Sequence, residues 1–242
     1  MRAGGPPKGT SRLPPVLPPV HRVRWGKAFR IIPTRFPPIP LFERIGDPAA
    51  WEVLAEIESL TNPRIRSEIG EIASVPADER IAGPGASWVM GAFAHRASSR
   101  FSDGAFGVYY CANRRATAIA ETRWHMGRFY AATREPPIDI DMRVLVGSVD
   151  DEFHDLRGRS PRWRRTLDPL DYTRGQVLGR QLFAAKSRGV VYPSVRDPEG
   201  QCLGALTPRA VGIPRVSTVL SYHWNGECID RVFDYSTETW HE

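Results

Sequence analysis

The feature that most constrains this fold is the Asn225-Gly226 step between the apolar runs 217–224 and 228–233. Asn-Gly accepts the positive φ that a tight hairpin turn demands, and the twist of that turn matches two antiparallel strands. The C-terminal part of the chain must therefore contain an antiparallel ladder. Short apolar runs at 190–192 and 202–207 read as further strands of the same sheet. Upstream, residues 27–34 read as a first strand stopped by Pro33, 106–112 as a strand apolar on both faces, and 138–149 as an alternating strand.

Helical segments are interspersed with these strands. Asp47 is placed to cap a helix with Pro48 at its first position. Trp51, Val53, Leu54, Ile57 and Leu60 form its apolar side, and Asn62-Pro63 stops it. Residues 87–98, 117–129 and 171–188 carry helical patterns, the last with Val177, Leu178, Leu182, Phe183 and Ala185 as core candidates and Gly189 as its end. Residues 151–169 read as a charged loop around Trp163. The elements do not alternate as in a doubly wound parallel sheet, and neither G-x-G-x-x-G nor a P-loop occurs. The class is α+β: a mixed, mostly antiparallel sheet with flanking helices.

The 242 residues are 41% hydrophobic, enough for one large domain with an extension. Residues 1–22, rich in Pro, Gly and basic residues, are expected to form a disordered arm, since they cannot bury enough surface to offset ordering entropy. No apolar run reaches membrane-spanning length, and the N-terminus lacks the apolar core of a signal peptide, so a cytoplasmic location is expected. Cys111, Cys202 and Cys228 show neither CxxC nor Cys/His ligand spacing. No metal site is expected, and a reducing compartment is. The net charge of +6 comes from scattered arginines, not from a basic block.

Residues 100–125, RFSDGAFGVYYCANRRATAIAETRWH, concentrate the chemistry. They read as an exposed Arg100, a turn, a strand bearing Tyr109 and Tyr110, and a helix bearing Glu121. A guanidinium can clamp a diphosphate, a phenol can stack on a ring or bond a hydroxyl, and a carboxylate can steady a developing cation. By helical periodicity Ala118, Ile119, Glu121, Thr122 and His125 share one broad face. His125 lies one turn after Glu121 and His95 lies near Arg100, both as weaker candidates. Trp88, Trp163 and Trp224 read as core or interface anchors. A second segment, VVYPSVRDPEG at 190–200, places Ser194 in a turn after a strand, without the G-x-S-x-G elbow of a nucleophilic serine.

In that order these pieces resemble the RES family, named for its Arg, Glu and Ser. Arg100 stands where the family has its Arg, although Phe101-Ser102-Asp103 follows where Trp-Asn is usual. GVYYCA resembles the family's tyrosine strand with Tyr110, ATAIAE its helix with Glu121, and YPSVRDPEG its closing segment with Ser194. FRI, with Arg30, is similar to its opening strand. The resemblance spans roughly residues 27–212. It implies a fold similar to ADP-ribosyltransferases, with residues 23–242 forming one catalytic domain that carries an insert at about 48–98. It also implies a toxin of a toxin–antitoxin pair that consumes NAD as a substrate and needs no cofactor. The toxin would cleave the nicotinamide–ribose bond and pass ADP-ribose to phosphate or water. Glu121 would steady the ribose cation and Arg100 would hold the diphosphate. Tyr110 would stack on nicotinamide or bond a ribose, Arg30 would hold phosphate or ribose, and Ser194 would hold phosphate. The implied partner is a helix-turn-helix, Xre-like antitoxin, with no direct nucleic-acid contact by this chain; self-association is left open.

Two other readings stand beside this one. A basic nucleic-acid-binding protein or ribonuclease would use Arg157, Arg159, Arg162, Arg164 and Arg165 around Trp163. A catalytically inactive interaction module would keep only the fold.

Overall fold

A computed structural model describes residues 16–44, 47–59, 69–158 and 160–241. Strand β1, Val20–Pro33, leads through the short helix α1, Pro40–Arg44, to α2, Trp51–Ser59. Helix α3, Ser87–Ala94, precedes β2, Tyr109–Ala112, and the long helix α4, Arg115–Thr133. Then come β3, Ile138–Asp155, the short α5, Pro161–Thr166, and α6, Thr173–Ala184. Strands β4, Gly189–Pro193, β5, Gln201–Ala205, β6, Arg215–Trp224, β7, Ile229–Asp234, and β8, Thr239–His241, complete the chain.

The eight strands among the described residues join one sheet in the order β1-β2-β5-β4-β3-β6-β7-β8, and β1 also pairs with β3. Strands β1, β2, β5, β4 and β3 thus close into a ring, from which β6, β7 and β8 extend as an antiparallel wing. Only the β3–β4 pairing is parallel, and it is short, matching His154 with Val190 and Asp155 with Val191. The Asn-Gly turn joins β6 to β7 as expected, with Gly226 at φ 101° and Trp224 opposite Ile229.

The ring explains why its strands are apolar on both faces. Side chains alternate between two cores. Ala112, Tyr192 and Cys202 point to one core, which α4 and α6 cover. Cys111, Val191 and Leu203 point to the other, covered by α1–α3. The stretch 69–94 supplies Ile69, Ile72, Val75, Val89, Met90 and Phe93 to this second core. This stretch, within the expected insert, therefore packs into the second core.

Several local expectations are corrected. Strand β1 starts at Val20, inside the stretch read as a disordered arm. Val23 is buried there, and Arg22 and Arg24 pair with Asp150 across the ladder to β3. Residues 1–15 of that arm, and the stop at Asn62-Pro63, lie outside the described residues. The charged loop 151–169 is instead the end of β3 followed by α5; its polar residues face out of the sheet while Phe153 is fully buried. On α6, Val177 and Phe183 are exposed. Leu178 and Leu182 are buried as expected, Ala185 is exposed, and Gly175 and Gly179 complete the buried stripe in place of the larger residues. Asp47 does cap its helix, accepting from Ala49 N at 2.9 Å, but the first turn is 3₁₀ and Val53 faces solvent.

Candidate active site

Helix α4 packs against β1 and β2 of the ring and against β6 and β7 of the wing. Its stripe Ala118, Glu121, Thr122 and His125, at helical spacing, lines a cavity of about 340 Å³, a volume within the range of small-molecule sites. The stripe is mostly polar because it faces this cavity instead of packed core. Thr122 ties the helix down, with its hydroxyl 2.7 Å from the Tyr222 hydroxyl. Near the helix start, Thr117 donates to Asp197 Oδ2 at 2.5 Å, joining α4 to the loop after β4.

That loop carries Ser194. Its hydroxyl donates to Glu121 Oε1 at 2.6 Å and accepts from the N–H groups of Arg196 and Asp197 at 3.1 and 3.0 Å. One donor and two acceptor sites are the full capacity of a serine hydroxyl, so Ser194 is saturated. It stands behind Glu121 and fixes the carboxylate's direction. Cys202 adds a weaker thiol donor to the same oxygen at 3.7 Å. Burial, and then the neighbouring Glu121, push the Cys202 thiol well above its ordinary pKa, so it remains protonated and unreactive.

Arg100 is the clearest departure from expectation. It was read as exposed, yet it is only 6% accessible. Nη1 donates to the Asp168 carbonyl at 2.7 Å, and the guanidinium lies 4.6 Å from the centre of the Tyr172 ring. Gly175 and Gly179 make this possible, because α6 rests directly on the Arg100–Phe101 backbone. A Cβ at Gly179 would lie 1.7 Å from the Phe101 carbonyl oxygen. Tyr172 and the two glycines escaped the sequence reading; a small-residue pair one turn apart on α6 was the available signal.

Tyr110 reaches from β2 into the same cavity. Its hydroxyl accepts from Phe101 N at 3.1 Å and contacts Ser99 Oγ at 2.9 Å. Burial pushes its pKa up to about 12, only partly offset by those two hydrogen bonds, so it stays a neutral phenol. Arg30, half-buried on β1, donates from Nη1 to the Tyr110 carbonyl at 3.0 Å and lies 4.6 Å from the Tyr109 ring centre. Its Nε is buried without a hydrogen-bond partner. Desolvation pulls its pKa down, although an arginine keeps its charge. His125 is drawn below its ordinary pKa first by desolvation, with Arg100 and Arg196 in the same direction and Glu121 opposing. A neutral imidazole at neutral pH follows.

Arg30, Arg100, Tyr110 and Glu121 therefore line one cavity, and Ser194 supports it from behind. His95 lies elsewhere, beside a neighbouring cavity. Among the described lining residues Glu121 is the one carboxylate, set against two guanidinium groups. Such a site suits a ligand that is anionic in one part and develops positive charge in another. No cluster of metal-ligating side chains occurs among the described residues. In the basic stretch, Arg157 is locked on Asp155 and Gln201, Arg162 lies over Trp163, and Arg164 and Arg165 are exposed. Arg159 lies outside the described residues. No described helix is long and apolar enough to cross a membrane.

The sequence model of the RES domain matches residues 78–225, well over half the chain. This chain belongs to the RES domain family. The matched span contains Arg100, Tyr110, Glu121 and Ser194, while Arg30 lies before it. A relative, the uncharacterized protein y4oC of Sinorhizobium fredii, is 31% identical over 209 residues, covering 86% of each chain. Its coverage shows that the likeness extends well beyond the RES core. Among solved structures, the M. tuberculosis MbcT–MbcA toxin–antitoxin complex aligns at 16% identity and a TM-score of 0.39, over 53% of this chain and 73% of that one.

Proposed function

We propose that this RES protein is a toxin that breaks the nicotinamide–ribose bond of NAD and transfers ADP-ribose to phosphate or water. One observation carries this reading. Glu121, held in direction by Ser194, is the one carboxylate among the described residues lining a cavity otherwise charged by Arg30 and Arg100. When the C1′–N bond breaks, its electron pair leaves with nicotinamide and the ribose becomes cation-like, as in glycoside hydrolysis. A preorganised carboxylate is then worth more in the transition state than in the ground state. An oxygen of phosphate or water closes on C1′, and water gives up its proton to solvent. The guanidiniums hold the diphosphate, and the neutral phenol of Tyr110 supplies a ring face or a hydroxyl to the nicotinamide riboside half. Ser194 acts through Glu121 as a positioning residue.

On this reading the protein acts in the cytoplasm, and its activity must be checked by an antitoxin, expected to be of the helix-turn-helix, Xre-like type. The test is nicotinamide release from NAD by the purified chain, with and without phosphate, with the ADP-ribose product identified by mass. Glu121→Gln is expected to reduce the rate about 100-fold or more, the scale of losing one preorganised charge contact. Absence of nicotinamide under both conditions, or full activity of Glu121→Gln, overturns the proposal.

A further inference from the structure

A second cavity, of about 590 Å³, adjoins the first. It opens between the segment after β1 and helix α3, and its walls include Phe36, Pro37, Pro38, Trp88 and Gly91. Arg143 fixes Trp88, with its guanidinium 4.7 Å from the ring centre, and donates to the Phe36 carbonyl at 3.0 Å. Ser87, also on the wall, has its hydroxyl engaged by both the N–H and the carbonyl of Ile39. This chamber therefore offers mainly apolar and aromatic surface.

The two cavities share Arg30, Ser99 and Tyr110 as lining residues. The boundary is thus marked by a guanidinium whose partners are a carbonyl and a ring face, and whose Nε is buried without a hydrogen-bond partner. No described residue lines the boundary with a carboxylate. A buried cation between a polar chamber and an apolar one calls for a ligand with a central anion and two dissimilar arms.

We infer that the apolar chamber between α3 and residues 32–39 is an adenosine subsite: the ligand's diphosphate sits at Arg30, its nicotinamide riboside arm in the Glu121 chamber, and its adenine against Trp88 and Phe36. This rests on the NAD reading above and assigns the half of the substrate that the Glu121 chamber, at 340 Å³, does not hold. The subsite is built from segments before residue 78 together with α3, so much of its wall lies outside the matched RES span.

Gly91 provides the test. A Cβ there meets nothing within 4 Å and Gly91 lines the chamber, so Gly91→Leu should project into it, and leucine also favours the helix. Two readouts separate this inference from the activity it rests on. The first is calorimetric binding of AMP, which needs no turnover. AMP should bind the wild-type chain and lose about tenfold or more in affinity in Gly91→Leu, and also in Phe36→Ala, whose side chain is largely exposed and whose loss should not unfold the protein. The second is nicotinamide release from NAD and from nicotinamide mononucleotide, which lacks the adenosine arm. Gly91→Leu should raise KM for NAD about tenfold and leave the mononucleotide reaction unchanged. Unaltered AMP affinity and unaltered KM for NAD in both variants would overturn the subsite while leaving the activity intact. Absence of turnover by the wild-type chain would remove the activity, and AMP binding would still decide what the chamber holds.

Discussion

Replacing Ser194 by alanine tests the central geometry. The side chain gives Glu121 one hydrogen bond at 2.6 Å and receives two backbone N–H groups. A hydrogen bond to a charged group contributes about 1.5–3 kcal/mol. If that energy serves to aim the carboxylate at the ribose, its loss appears in the transition state. At about 1.4 kcal/mol per tenfold, kcat should fall about 10- to 100-fold while KM for NAD changes little. The two N–H groups lose their acceptor as well, which costs about 1–3 kcal/mol of stability and should lower Tm by several degrees in a chain of this size. Steady-state nicotinamide release and thermal unfolding, measured on the same preparation, separate the two effects. Ser194→Thr retains the hydroxyl and should recover most of the kcat. A Ser194→Ala protein with lowered Tm and near-normal kcat would show that the hydroxyl only closes its turn. A rise confined to KM would place it on the ligand instead, and in either case the positioning argument fails.

Gly179→Ala should destabilise the fold by about 1–3 kcal/mol or more through overpacking, because the new Cβ meets the Phe101 carbonyl at 1.7 Å, whereas Gly127→Ala on α4, with nothing nearer than 4.0 Å, should be neutral or stabilising. Equal denaturant midpoints for the two variants would refute the close contact beneath Arg100. Asp234 is buried beside Arg115, 2.6 Å away, and accepts from Ser236; desolvation alone would raise its pKa, but the Ser236 hydrogen bonds and Arg115 outweigh it and lower it. Its stabilising contribution is therefore present above its unfolded pKa of 3.8 and is lost as pH falls through the depressed folded value, so Asp234→Asn should flatten the decline of Tm at the acid end. A parallel decline in both proteins would refute it.

The parts of the fold legible in the sequence were those with short-range physical signatures. Asn225-Gly226 specified its hairpin, Asp47 its cap, and the spacing of Ala118, Glu121, Thr122 and His125 specified the face that lines the cavity. Ring closure was not legible, since a single β1–β2 register, Phe29 opposite Ala112, completes it. The extension of β1 back to Val20 was hidden because its support comes from Asp150 and Asp155, more than a hundred residues away. Ser194 could be singled out, but its hydrogen bond to Glu121 spans 73 residues of sequence and only the fold reveals it.

The arginines show how structure settles what composition leaves open. The chain carries 33 lysines and arginines, and composition alone does not distinguish a structural one from a functional one. Three of the arginines are drawn in from solvent in different ways. Arg80, 2% accessible, pairs with Glu52 and donates to the carbonyls of Val75, Pro48 and Ile72, so its charge is neutralised and its donors are engaged. Arg30 and Arg100 have carbonyl and ring partners, and neither has a carboxylate within ion-pair distance among the described residues. A desolvated cation left without its counter-charge is costly unless something else supplies one. Both line the cavity whose one carboxylate among the described residues, Glu121, is already bound to Ser194. On the proposed NAD reading, the counter-charge would come from the substrate's diphosphate lying between Arg30 and Arg100, in the geometry a guanidinium fork recognises best.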